Sequence, residues 1–162
     1  MRNKTAVIGL GNILLSDEGA GVRAIELLRN KLSVENDEPN VDLIDAGTPG
    51  MNLLHEFDER KKIIFVDSGN CGLTPGEYKR FIPGDVISLK TSHNSPHEFD
   101  LIQFLDFARQ MSLSDHVEVV IYCIQAAQMV FSEELSADVR ENLPHLVEDI
   151  YREIKKESRV TV

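Results

Sequence analysis

Three side chains in this sequence have types and positions that could hold a divalent cation: Glu18, Asp67 and His97. Two carboxylates and an imidazole make a mixed oxygen and nitrogen donor set, which suits zinc, nickel, copper or iron. Three protein ligands leave coordination positions open, as a site that acts on or senses a guest requires. His93 competes with His97 for the nitrogen position, and Asp45 competes as a further carboxylate or supports the ligands from behind. Each residue also has a plainer reading. A strand-final Asp such as Asp67 commonly closes a turn. A loop His beside Glu98 is commonly just solvated. Asp17 caps the helix that follows it, a contribution of about 0.5–2 kcal/mol, and Glu18 complements that helix's dipole.

The elements around these residues favour the cation. Val7 to Gly21 runs from an apolar strand through Gly9-Leu10-Gly11-Asn12 into a short apolar loop, and then to Asp17 and Glu18 at a helix entrance. Gly-x-Gly after a first strand is half of a dinucleotide fingerprint. The third glycine is missing here, since position 14 is Leu. Asp17 and Glu18 would also place negative charge where a pyrophosphate needs bare N–H groups. A nucleotide or flavin domain is therefore disfavoured.

Along the chain, apolar strands alternate with amphipathic helices. Thr5–Leu10, Val41–Ile44, Lys62–Val66 and Val117–Ile124 read as strands, and Glu77–Ile82 alternates like an exposed, antiparallel one. Glu18–Leu32 has an apolar stripe of Val22, Ile25, Leu28 and Leu32. Met51–Phe57 starts a short helix, and Phe99–Met111 is helical. Ser136–Glu157 is the last helix, and Pro144 should kink or divide it. Such alternation implies an α/β fold, a three-layer α/β/α sandwich with a mostly parallel twisted sheet and one antiparallel strand. Sites in these folds form at the carboxyl ends of the strands. Glu18 follows the first strand, Asp45 ends the second and Asp67 ends the third. His97 lies in a loop that opens onto an edge and could reach them.

At 162 residues the chain reads as one domain, residues 1–162, with 158–162 a frayed tail. A net charge of −10 argues against nucleic acid and anionic membranes as partners. No run approaches the roughly 18 apolar residues of a membrane span. Cys71 and Cys123 form no Cys-x-x-Cys, and read as a loop thiol and a buried strand residue rather than a disulfide or zinc site. The expected setting is the cytoplasm.

The residues that carry a family likeness are Gly9 to Gly19 with Gly21-Val22-Arg23, Asp45 to Gly50 with Leu53-Leu54, the strand-final Asp67, and Ser95-Pro96-His97. In this order and spacing the chain resembles the hydrogenase maturation proteases, endopeptidases that trim the large subunit of nickel–iron hydrogenases. The likeness spans residues 5 to about 155. The family's three metal-contacting positions map onto Glu18, Asp67 and His97. The resemblance implies a substrate that is the nickel-loaded precursor of a hydrogenase large subunit, cut once to release a short C-terminal peptide. The nickel is then carried by the substrate, and the protein needs no obligatory resident cofactor. The family has been labelled both aspartic-type and metal-linked. Asp45, beside its Gly-Thr-x-Gly turn, is the candidate catalytic residue, either as a general base for water or as the holder of its loop. A non-catalytic, metal-dependent chaperone of the same precursor is the alternative.

Overall fold

The computed structural model describes residues 3–36, 39–48, 50–86 and 101–160. His93, His97 and the Ser95-Pro96-His97 run lie outside these residues, as does Pro49. Among the described residues five strands form one sheet: β1 (Thr5–Leu10), β2 (Val41–Gly47), β3 (Lys62–Gly69), β4 (Tyr78–Phe81) and β5 (Glu118–Gln125). Their order is β2-β1-β3-β5-β4. All neighbours are parallel except β4, which runs antiparallel to β5. The α-helices are α1 (Ala20–Val34), α2 (Pro83–Val86), α3 (Leu101–Gln110) and α4 (Ala137–Val160), with 3-10 turns at Ser16–Gly19 and Met51–Phe57.

Strand alternation divides the core into two layers. Val7, Ile64, Val66, Val120, Tyr122 and Ile124 face α1 and α4. Ala6, Ile8, Leu10, Ile63, Phe65, Val119 and Ile121 face the other layer, where Leu53, Phe57, Phe104 and Leu105 cover them. With both faces covered, the three central strands read as continuous apolar runs.

Several boundaries differ from the sequence expectations. β2 runs on through Asp45 to Gly47, and β3 through Asp67 to Gly69. α4 is one helix through Pro144, which is neither a break nor a division. The ring of Pro144 is exposed, while Val139, Leu143, Leu146, Val147, Ile150 and Ile154 are buried on both sides of it. That continuous apolar stripe outweighs the one backbone bond that proline removes. Helix α4 runs on to Val160. Glu157 is tied to Thr5 Oγ1 at 3.1 Å and to the Lys62 ammonium, which pins the last turns to the sheet.

Cys71 and Cys123 form a disulfide, contrary to the reading of two separate thiols. Register explains it. Cys123 is the cross-strand partner of Asp67, and the chain turns back after Gly69 to bring Cys71 alongside, with the two Cα atoms 6.6 Å apart. The 52-residue separation hides a pairing that only the β3–β5 register reveals.

Candidate functional site

The carboxyl ends of β1, β2 and β3 carry the candidate acids, and glycines determine how closely their segments approach. Gly11 has a φ of +128°, and a methyl group there would lie 1.7 Å from the Glu18 carbonyl oxygen. Only glycine lets the chain leave β1 and fold the Glu18 turn directly over it. A methyl group at Gly21 would lie 2.3 Å from the carbonyl oxygens of both Leu10 and Val66. Helix α1 therefore begins in backbone contact with the ends of β1 and β3. Val66 immediately precedes Asp67. The Gly-x-Gly pair serves packing here, and the Glu18 turn and the Asp67 strand end share one edge.

Glu18 is half-buried within the 3-10 turn, and Asp67 is half-buried near the end of β3. One Asp67 carboxylate oxygen accepts the Ser68 N–H at 2.8 Å. Asp45 is exposed, beside a register irregularity of β2 against β1. Its carboxylate accepts the Gly47 N–H at 3.0 Å, a turn-closing bond, and the Gly47 carbonyl accepts the Gly11 N–H at 2.7 Å. Thus Asp45 shapes the loop that meets the Gly11 segment. Among the described residues, no group of three His, Cys, Asp or Glu side chains could hold a metal ion. His97, the mapped nitrogen ligand, and its rival His93 lie outside them.

Asp17 does not cap α1. The chain is already helical when it reaches Gly19, the residue before α1, and no side chain caps that helix. Asp17 instead turns inward and is fully buried. Its carboxylate accepts the N–H groups of Ala127 at 2.9 Å, Gln128 at 3.0 Å and Ser136 at 2.7 Å, and the Ser136 hydroxyl at 2.8 Å. Ser136 directly precedes α4. Asp17 thereby joins the β1 loop to the loop after β5 and to the α4 entrance.

Its neighbour Ser16 strengthens that joint. Ser16 is buried with a φ of +51°, an uncommon conformation for a residue with a side chain. Three bonds hold it there. Its N–H donates to the Ser132 carbonyl at 2.7 Å, its hydroxyl donates to the Glu134 carbonyl at 2.7 Å, and the Gln128 amide donates to its hydroxyl oxygen at 3.0 Å. The loop after β3 is tied down in a similar manner. The Gln125 side-chain carbonyl accepts the N–H groups of Cys71 at 2.8 Å and Leu73 at 3.2 Å.

Sequence reasoning thus missed Ser16, Gln125 and Ser136 as positioning residues, and missed the Met129-Val130-Phe131 loop. The available signal was an apolar tripeptide beyond the end of a strand and outside any helix. The Cys71 sulfur, read from the sequence as a loop thiol, is bonded to Cys123. Among the described residues no helix is long and apolar enough to cross a membrane.

Comparison with known proteins agrees with this architecture. Residues 22–153 match the hydrogenase maturation protease family. The hydrogenase expression/formation protein HupD of Bradyrhizobium diazoefficiens is 40% identical over 77 residues, 48% of this chain and 38% of that one. The hydrogenase 2 maturation protease of Escherichia coli is 35% identical over 104 residues, 64% of this chain and 62% of that one. Both alignments span less than two thirds of the relative's length. The solved structure of the hydrogenase-maturating endopeptidase HybD from Escherichia coli superposes with a TM-score of 0.77 at 25% identity, covering 97% of this chain and 94% of that one. The chain belongs to the hydrogenase maturation protease family.

Proposed function

We propose that this protein is the endopeptidase that removes a short C-terminal peptide from the nickel-loaded precursor of a nickel–iron hydrogenase large subunit, in the cytoplasm. The substrate's own nickel is the recognition element. Glu18, Asp67 and His97 complete its coordination shell when the precursor docks. The observation that carries this reading is the backbone packing of Gly11 on Glu18 and of Gly21 on Val66, which brings the Glu18 turn and the end of β3 to one edge of the sheet. Carboxylates offered from two separate strand ends, beside an imidazole, suit a borderline cation presented from outside. A precursor without nickel gives those acids nothing to bind, so cutting follows loading.

In the cleavage, water adds across one peptide bond, giving a new carboxylate and a new amine. Asp45, at the β2 end, is our candidate general base, and its carboxylate accepts the Gly47 N–H. The substrate's metal can polarise the scissile carbonyl. The test is incubation with nickel-loaded and nickel-free precursor, read by mass spectrometry of the precursor C-terminus. Release of the peptide from the loaded form alone is expected. Equal release from both forms, or a stable complex with no release, contradicts the reading.

A further inference from the structure

Five apolar side chains stand out from the molecule where the β1 and β5 loops meet. Ile13 is 38% exposed, Leu14 41%, Met129 44%, Val130 52% and Phe131 84%. Their backbones are held firmly. The Ser132 N–H donates to the Leu14 carbonyl at 2.9 Å, and the Ser16 N–H returns a bond to Ser132 at 2.7 Å. Asp17 roots the same loop through Ala127, Gln128 and Ser136. A buried carboxylate and a strained serine thus fix a loop whose apolar side chains face water. Contiguous exposed apolar surface of this kind marks a place that another molecule covers.

The rim adjoins the candidate site. Glu18 follows Asp17 in the chain, and the Ala126 N–H donates to the Gly69 carbonyl at 3.0 Å, two residues beyond Asp67. Glu133 and Glu134 are exposed beside it, in a chain of net charge −10. An acidic flank disfavours an acidic visitor and favours lysine or arginine next to an apolar anchor.

We propose that this rim docks an apolar, non-acidic segment of the protein substrate, the stretch flanking the bond to be cut, with Phe131 as its central anchor. The inference rests on the reading of this chain as an endopeptidase acting on a protein. It adds a specificity surface that recognises polypeptide, separate from the residues assigned to the metal.

The test measures the affinity of immobilised precursor, nickel-loaded and nickel-free, for wild type, Phe131→Ser, Met129→Ser and Val34→Ser. Val34 is the control, 85% exposed at the other end of α1. Substitution at exposed positions leaves the fold intact, checked by thermal melting. Phe131→Ser should weaken binding about tenfold or more, as loss of a central aromatic anchor does, and Met129→Ser by a smaller factor. Val34→Ser should stay within about twofold, the range of a surface change away from any contact. Unchanged affinity for Phe131→Ser overturns the proposal. So does sedimentation showing that Phe131→Ser dissociates a dimer while precursor binding persists, because the rim would then join copies of this chain. The ratio of variant to wild type is read on whichever precursor form binds. Equal binding of loaded and nickel-free forms contradicts the nickel reading alone, and failure of the wild type to bind either form contradicts both.

Discussion

The two ends of the sheet handle their acids in opposite ways. At the amino ends of the strands, carboxylates meet cations. Arg60, buried, pairs with Asp42 and with Glu56 at 2.8 Å. Lys62, also buried, pairs with Glu118 at 3.2 Å, Glu153 at 2.8 Å and Glu157. At the carboxyl ends, the hydrogen bonds described for Asp17, Asp45 and Asp67 come from backbone N–H groups and one serine hydroxyl. Such bonds orient a carboxylate without bringing a full counter-charge. The first end is built for stability. The second fixes Asp17 and Asp45 in place through backbone N–H groups.

Substitutions should separate these roles. The largest effect is on processing. Glu18→Gln, Asp67→Asn and His97→Ala should each lower peptide release by about a thousandfold or more, the scale of losing a group that acts directly on the reacting centre, while thermal melting barely moves. Full activity in all three would remove the site assignment. Asp17→Ala should act on both properties. It strands three backbone N–H groups and a hydroxyl, at a cost of about 3–5 kcal/mol in urea unfolding, and it should slow processing by freeing the β5 loop. Lys62→Ala breaks a buried cluster and should cost about 3 kcal/mol, yet leave processing at wild-type rates wherever the variant is folded. Processing lost in parallel with stability for Lys62→Ala would erase the contrast between the two ends.

Acidity sharpens the comparison further. Burial alone would raise the Glu153 carboxyl, but hydrogen bonds from Arg80, Lys62 and Tyr122 hold it down to about 2, from an ordinary value of 4.5. A folded value below the unfolded one means the stability from this group is complete above pH 4.5 and is lost as pH falls toward 2. Denaturant midpoints should therefore fall through that window, and Glu153→Gln should flatten the slope. The disulfide's effect depends on redox conditions. Cys71→Ser should cost about 2–4 kcal/mol under oxidising conditions and nothing in excess dithiol, where the wild-type bond is reduced as well.

Local pattern made the framework legible. Period-two and period-3.6 hydrophobicity placed all five strands, and the alternation of Glu77–Ile82 identified the antiparallel one. The types and strand-end positions of Glu18, Asp45 and Asp67 put them on one edge. What escaped is long-range. Asp17 looks like a local cap until its partners 110 to 119 residues away are seen. The cysteine pair depends on register. Pro144 reads as a breaker until the buried stripe on both sides of it is weighed. The Phe131 rim shows in the sequence only as an apolar tripeptide beyond a strand end, and its exposure cannot be read from periodicity.

The central claim is that the protein's own side chains ligate the nickel held by its substrate. Nickel-edge X-ray absorption of the loaded precursor, recorded alone and with one equivalent of this protein, tests it most directly. Added oxygen and nitrogen scatterers with the wild type, absent with Glu18→Gln, are predicted. An unchanged nickel spectrum in a complex that still releases the peptide would contradict it.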